Sequence, residues 1–235
     1  MTFAEPLHIL LDTIKTISKK PHILLISFSM HLWLLLLTVL LGKLTPSITN
    51  PTVSYMLIIA YFIAALLGGS CALFYMTTII ASTKKKHNHS LQISSTFAAV
   101  LLLILVQRLH VKLNELLVTL LFPIIGQKAT ALLLFILLIT ILLTILTFIA
   151  FIPTYTSLLP INPLSALKKS WRFAKRNYLV ILPLFIFFFI LFDLSTRLEG
   201  MLGKTGLDIL YWIVLFPLFI GTLTKLVTKY DVSTR

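Results

Sequence analysis

The sequence is poor in acidic residues and in charge altogether. It has seven aspartates and glutamates against 20 lysines and arginines, and only 11% of its 235 residues are charged, whereas a soluble domain carries about 25%. It contains no paired carboxylates at a motif spacing, no glycine-rich phosphate loop, no G-x-S-x-G and no H-E-x-x-H. Hydrolysis and phosphoryl transfer therefore lack their usual residues, and we predict a protein that is not an enzyme and has no cofactor.

The sequence has a single cysteine, Cys71. One thiol cannot form an internal disulfide or a cysteine-based metal site. His87 and His89 flank Asn88 in a lysine-rich segment, but no further ligand lies nearby in the sequence. No metal site is predicted.

Apolar residues are abundant, at 58% of the chain with a mean hydropathy of +1.02. They form continuous runs of about 20 residues, the length of a helix that crosses the hydrocarbon core. Continuous rather than alternating runs indicate helices. We predict an all-α, polytopic transmembrane protein, residues 1–235 forming one domain. The expected six spans are Ile23–Leu41, Val53–Ala81, a more polar one near Ile104–Ile125, Ala129–Ile152, Leu179–Phe192 and Ile209–Val227.

The net charge of +13 is distributed unevenly between the segments that connect these spans. If the N-terminus is cytoplasmic, the inner segments carry 14 lysines and arginines and the outer ones carry four. The positive-inside rule then predicts that both termini are cytoplasmic. Charges beside spans have anionic lipid headgroups as their natural partner, so nucleic-acid binding is not expected.

Residues 163–178 form an amphipathic segment immediately before a span. Asn162 can cap a helix there, and Pro163 suits its first position. One face is apolar and comprises Leu164, Leu167, Trp171, Ala174 and Tyr178. We predict a helix in the membrane interface, an "elbow" before the span. The predicted headgroup-contacting residues are Lys168, Lys169, Trp171, Arg172, Lys175 and Arg176, together with Lys19 and Lys20 of a similar N-terminal segment.

That N-terminal segment begins at Pro6, and its Lys19-Lys20 pair matches Lys175-Arg176 at an offset of 156 residues. A weaker, less polar copy begins at Ser90. These segments predict a threefold elbow-plus-hairpin repeat over residues 1–83, 84–160 and 161–235. The alternative is that basic loops precede spans in any six-span protein.

The segment Asn162-Pro-Leu-Ser-Ala-Leu-Lys-Lys-Ser-Trp, followed by Lys175-Arg-Asn-Tyr-Leu and a span, resembles a known family. The family comprises uncharacterised polytopic membrane proteins of bacteria and archaea related to the membrane domain of glycerophosphoryl diester phosphodiesterase. The resemblance implies about six spans, a cytoplasmic elbow and a location in the inner membrane of a prokaryotic cell, and it carries no catalytic residue over. The chain departs from the family pattern at Ser94-Ser-Thr-Phe-Ala-Ala-Val-Leu, which replaces a charged middle elbow.

The third span contains a polar stretch with Arg108, His110, Lys112 and Glu115. Ionisable groups at membrane depth usually face a cavity or another polar group, so the stretch is a candidate intramembrane site. The alternative is that residues 107–115 form an interfacial elbow.

These patterns lead to two functional hypotheses. The first is a non-enzymatic integral membrane protein whose basic elbows contact anionic lipids, or which serves as a membrane partner or scaffold for another protein or a second copy. The second is a small transporter or permease whose pathway uses the polar stretch from Arg108 to Glu115.

Overall fold

The computed structural model describes residues 4–44, 50–82, 89–125, 148–197, 203 and 206–231, and within these ranges the regular elements are helices. In chain order they are α1 (Ala4–Lys19), α2 (His22–Leu44), α3 (Pro51–Ala81), α4 (His89–Ile125), α5 (Ile152–Leu158), α6 (Pro163–Arg197) and α7 (Gly206–Tyr230).

Four segments are long and apolar enough to cross a membrane: α2, α3, Pro163–Phe192 of α6, and α7. They contain four of the six predicted spans, so the prediction of an all-helical chain with membrane-spanning helices is confirmed to that extent. The predicted third span is helical within α4, whose apolar part is the shorter His89–Leu105. Residues 129–147 of the predicted fourth span lie outside the described residues.

The helices α3, α5 and α7 pack against one another at the centre of the fold. All seven residues of the short helix α5 are buried, and Pro153 occupies its first turn, where a missing N–H costs nothing. The Tyr155 hydroxyl donates a 2.6 Å hydrogen bond to Asp231 after the end of α7. Burial, and then this bond, raise the pKa of Tyr155. The last turn of α7 is thereby fixed to the core.

A close approach of α2 and α3 depends on Gly68. A Cβ at this position would lie 2.6 Å from Cδ1 of Trp33. The Trp33 indole Nε1 donates to the carbonyl of Ala64 at 3.2 Å. The small residues of α3 therefore serve packing inside the protein, as small residues at membrane-helix contacts generally do.

The helix α7 contains a π-helical turn at Leu210–Leu215. Ser27 of α2 donates a hydrogen bond to the Trp212 carbonyl within this turn. The His31 ring stacks on the Trp212 ring with centroids 6.0 Å apart. π turns are uncommon, and in this one the Ser27 side chain of the neighbouring helix α2 contacts a carbonyl of the turn.

The amphipathic segments lie around this centre. The helix α1 packs on α7, α4 packs on α3 and α5, and the first part of α6 packs on α5. These three segments, each of which precedes a predicted span, are therefore placed against the central helices.

Candidate membrane interface

The C-terminal elbow, residues 163–176, is the first part of α6. Its start is capped, because the Asn162 Oδ1 accepts a 2.8 Å hydrogen bond from the Ser165 backbone N–H. Its end is a break at Asn177, whose φ of −115° and ψ of 19° are not helical. The Asn177 amide donates to the Phe173 carbonyl at 3.0 Å, which satisfies a carbonyl at the break. The sequence therefore specifies both ends of the elbow locally.

One face of the C-terminal elbow is buried against the protein. It comprises Ala166, Ser170, Phe173 and Ala174. The Ser170 hydroxyl donates to the Phe148 carbonyl. The Phe173 ring meets the Phe151 ring edge-on at 4.9 Å. This anchored face was missing from the sequence prediction, which divided the helix into an apolar face and a basic face only.

A second face of the C-terminal elbow is apolar and exposed. Leu164 is 65% exposed and Trp171 is 53% exposed, and Leu179 just beyond the break is 74% exposed. The Trp171 ring stacks on the Phe148 ring with centroids 4.0 Å apart, which fixes the orientation of the indole. Of the apolar face predicted from sequence, only Ala174 is buried, and the remainder faces outward or is half-buried.

The third face of the C-terminal elbow is basic. Lys168, Arg172, Lys175 and Arg176 are exposed, and Lys169 is half-buried. Within the described part of the chain, none of the four exposed residues forms an ion pair with a carboxylate. The elbow thus presents an apolar strip beside a cationic strip, and the four exposed members of the cationic strip have no described carboxylate partner.

The N-terminal elbow, α1, has the same three faces. Ile9 and Thr13 are buried, while Leu7, Leu11 and Ile14 are exposed. His8, Asp12, Lys15 and Lys19 form the exposed polar face. Thr13 lies against Gly221 of α7, where a Cβ would be 2.6 Å from its Cγ2. This contact places α1 closer to α7 than any larger residue at position 221 would allow.

The two acidic residues of α1 contact the end of α7. Asp12 pairs with Lys225 at 2.9 Å, and Glu5 lies 3.6 Å from the Lys229 ammonium. The Tyr230 hydroxyl donates to Glu5. This hydrogen bond, and then Lys229, lower the pKa of Glu5 against the opposing effect of burial. Both carboxylates of α1 are therefore paired with residues of α7.

Lys20 follows α1 and occupies a different environment from the one predicted. Its ammonium donates to the Ser82 hydroxyl at 2.7 Å and to the Ile79 carbonyl. Ser82 ends α3 with a positive φ of 53°. Burial, and then the nearby charge of Lys225, lower the pKa of Lys20. The side chain caps the last turn of α3, where a cation is favourable, whereas the Lys19 side chain is exposed.

The polar stretch of the predicted third span lies in the unbroken helix α4. Lys112 and Glu115 form a 2.6 Å ion pair one turn apart, with their side chains 76% and 59% exposed. Arg108 is also exposed, and the side chain of His110 is outside the described residues. The described side chains of this set therefore lie on the outside of α4, and the helix shows no break at residues 107–115.

The start of α4, the predicted middle elbow, is attached by polar contacts to α5. The Gln92 amide donates to the Ser157 carbonyl at 3.1 Å. The Thr96 hydroxyl lies 3.2 Å from those of Thr156 and Ser157. These residues are buried, so one face of this segment is attached to the core, while Leu91 and Ser94 are exposed.

Comparison with family models, with curated proteins and with solved structures yields no match for this chain. The resemblance drawn from the segment after Asn162 therefore stays a prediction. In the described residues, no three histidine, cysteine or acidic side chains come together as metal ligands would.

Proposed function

We propose that this chain is a non-enzymatic integral membrane protein that binds anionic lipid headgroups through its C-terminal elbow at the cytoplasmic face of the membrane. The observation that supports this most directly is the order of the three faces on residues 163–176. The buried face attaches the helix to the core, and the exposed apolar strip adjoins the exposed basic strip. A helix with these surfaces is suited to the plane of the interface.

The energetics favour an anionic surface over a zwitterionic one. Trp171 is exposed, and indole rings prefer the region between the acyl chains and the headgroups. Each lysine or arginine near an anionic leaflet contributes about 1 kcal/mol. Four exposed basic residues without a described carboxylate partner therefore provide a substantial preference, which salt should weaken.

The proposed orientation rests on the distribution of basic residues along the chain. Placing both termini in the cytoplasm puts 14 lysines and arginines inside and four outside. It also places the N-terminal elbow and the C-terminal elbow in the same leaflet. The transport alternative gains no support from the described part of the polar stretch, because Lys112 and Glu115 are exposed and pair with each other.

We also infer that the elbow-plus-hairpin unit occurs three times. Three buried hydroxyls, of Thr13, Thr96 and Ser170, lie at equivalent places in α1, α4 and α6, at spacings of 83 and 74 residues. Thr13 contacts α7, Thr96 contacts α5, and Ser170 donates to the Phe148 carbonyl just before α5. Matching Thr13 with Ser170 gives an offset of 157 residues, one more than the lysine pairs suggest, and it also aligns the helix breaks at Lys20 and Asn177.

The lipid proposal can be tested with a fluorophore on the C-terminal elbow. Leu164→Cys in a Cys71→Ala background gives a single labelling site on the exposed apolar strip. The full chain is placed in nanodiscs that contain equal amounts of phosphatidylglycerol and phosphatidylcholine, with the nitroxide quencher on one lipid or the other. Stronger quenching by nitroxide-phosphatidylglycerol is expected.

The variant Lys168→Gln with Arg172→Gln should reduce this preference. The matched control, Lys43→Gln with Lys112→Gln, removes two exposed charges elsewhere and should leave it unchanged. Equal quenching by the two lipids in the unmodified chain, or an equal loss in both double variants, would contradict the proposal.

A further inference from the structure

We propose that the N-terminal elbow carries a second binding surface for anionic lipid, formed by Leu7, Leu11 and Ile14 with Lys15 and Lys19, and that the Asp12–Lys225 ion pair keeps this surface cationic. The inference rests on the proposed function of the C-terminal elbow. It assigns a ligand class to a helix whose charges, taken from the sequence alone, nearly balance.

The exposed apolar positions of the two elbows correspond. At the offset of 157 residues, Leu7 matches Leu164 and Ile14 matches Trp171. All four side chains are exposed, between 47% and 65%. Both helices therefore carry an apolar strip at the same position relative to the buried hydroxyl.

Two basic positions of the two elbows also correspond. Lys15 matches Arg172, and Lys19 matches Arg176. Each of the four is exposed and lies on the same side of the apolar strip. When the apolar strip of α1 contacts lipid, Lys15 and Lys19 therefore lie at the level of the lipid phosphates. Arg172 and Arg176 lie at the same level when the C-terminal elbow contacts lipid.

The N-terminal elbow also carries an exposed acidic residue, which the C-terminal elbow lacks. Asp12 precedes Lys15 by one helical turn and Lys19 by two, so it lies on the same polar face and is 58% exposed. A free carboxylate here would offset one of the two lysines and repel a lipid phosphate. Lys225 of α7 lies 2.9 Å from it and supplies the compensating positive charge. A lysine outside the elbow thus determines the charge that the elbow presents to lipid.

Glu5, the second acidic residue of α1, lies away from this surface. Glu5 contacts Lys229 and Tyr230 at the end of α7, on the side of α1 that faces the protein. Both carboxylates of α1 are therefore paired with α7, and Lys15 and Lys19 have no described ion-pair partner.

The test uses matched labels on the two elbows, Leu7→Cys and Leu164→Cys, each in the Cys71→Ala background and each in the mixed-lipid nanodiscs described above. We expect stronger quenching by nitroxide-phosphatidylglycerol than by nitroxide-phosphatidylcholine at both labels. Lys15→Gln with Lys19→Gln should lower the preference at Leu7 by up to about fivefold per lysine, and should leave the preference at Leu164 unchanged. The unchanged label at Leu164 also reports that the variant is folded.

The role of Lys225 is tested separately. Lys225→Gln should lower the lipid preference at the Leu7 label although the residue is not on the elbow, and the double variant Asp12→Asn with Lys225→Gln should restore it. A loss that the double variant does not restore would overturn the role assigned to the ion pair.

The outcomes separate this inference from the proposed function. Anionic preference at Leu164 without any at Leu7 overturns the second surface and leaves the C-terminal elbow as proposed. Absence of preference at Leu164 overturns the proposed function, whatever the result at Leu7. Quenching at Leu7 that is equal for the two lipids and insensitive to Lys15 and Lys19 means that α1 contacts the bilayer through its apolar strip alone, which also overturns the inference.

Discussion

The N-terminal and C-terminal elbows share three faces but are attached to the protein in different ways. The C-terminal elbow continues through a break at Asn177 into its own span, and it contributes basic residues that have no described acidic partner. The N-terminal elbow is a separate helix that ends at Lys19, and it is held on α7 by Thr13, Glu5 and Asp12. Chain continuity therefore holds the C-terminal elbow in place, whereas side-chain contacts hold the N-terminal elbow, although the two present similar surfaces.

The largest expected effect comes from removing the close approach that holds the N-terminal elbow. Gly221→Ala places a methyl group 2.6 Å from Cγ2 of Thr13. Thr13 cannot rotate freely, because its hydroxyl donates to the Ile9 carbonyl at 2.8 Å. We expect a loss of about 1–3 kcal/mol in the free energy of unfolding, typical of overpacking. The measurement is denaturant unfolding in detergent, together with the mobility of a spin label at Leu7→Cys.

Two variants control that prediction. Thr13→Ser removes the methyl group and keeps the hydroxyl, so it should relieve most of the cost of Gly221→Ala. Gly42→Ala adds a methyl group where nothing lies within 4 Å, and should cost little. Equal destabilisation by Gly42→Ala and Gly221→Ala would show that the contact with Thr13 is not the cause.

The corresponding hydroxyl of the C-terminal elbow should matter less. Ser170→Ala removes the hydrogen bond to the Phe148 carbonyl, which costs about 1 kcal/mol in the free energy of unfolding. Chain continuity through Asn177 keeps the elbow in place, so a spin label at Leu164→Cys should not gain mobility. A gain as large as that at Leu7 in Gly221→Ala would remove the distinction between the two elbows.

Acid should loosen the N-terminal elbow and spare the C-terminal one. The pKa of Glu5 in the folded protein is lowered from its usual 4.5 by the hydrogen bond from Tyr230. The ionised form therefore stabilises docking above pH 4.5, and this contribution is lost as the pH falls below that value through the lowered pKa. Spin-label mobility at Leu7 should rise in this window, and Glu5→Gln should raise it at neutral pH and flatten its acid dependence. Equal pH dependence at Leu164 would argue against the assignment to Glu5.

The smallest effect is expected for charges that contact neither elbow. Lys112 and Glu115 pair within one turn of α4 and are both well exposed. Exposed pairs contribute about 0–1 kcal/mol. Lys112→Gln should change the free energy of unfolding by less than Gly221→Ala does, and it should leave both labels unaffected. A larger effect would indicate that this pair has a structural or functional role beyond the helix.

Local features of the elbows could be predicted from the sequence. The cap at Asn162, the proline at position 163 and the spacing of Leu164, Trp171 and the basic residues act within a few residues of one another, so they define the helix and its outward strips. The buried face was missed because Ala166 and Ser170 are small and weakly polar. Their only signal is the recurrence of a small or hydroxyl residue at the matching position Thr13 of the N-terminal elbow.

Contacts between distant residues could not be predicted in the same way. Lys20 and Lys225 look alike in the sequence, as basic residues beside spans. One caps α3 through Ser82, and the other neutralises Asp12. These roles depend on which helix ends are in contact in the folded protein. Each contact joins residues more than 60 positions apart, and no local sequence pattern predicts such a contact.

The sequence by itself determined that the described chain is helical and that long apolar segments dominate it. Composition and periodicity act locally, and unpaired backbone groups are costly anywhere in lipid, so a long apolar segment forms a helix. It also determined that the C-terminal elbow begins at Pro163. Only the tertiary structure decided which face of each elbow is buried and which charges are compensated. Those properties depend on the approach of α7 to α1 and of α5 to α6, where a glycine, a hydroxyl or a lysine from another helix changes what the same amphipathic pattern presents to the membrane.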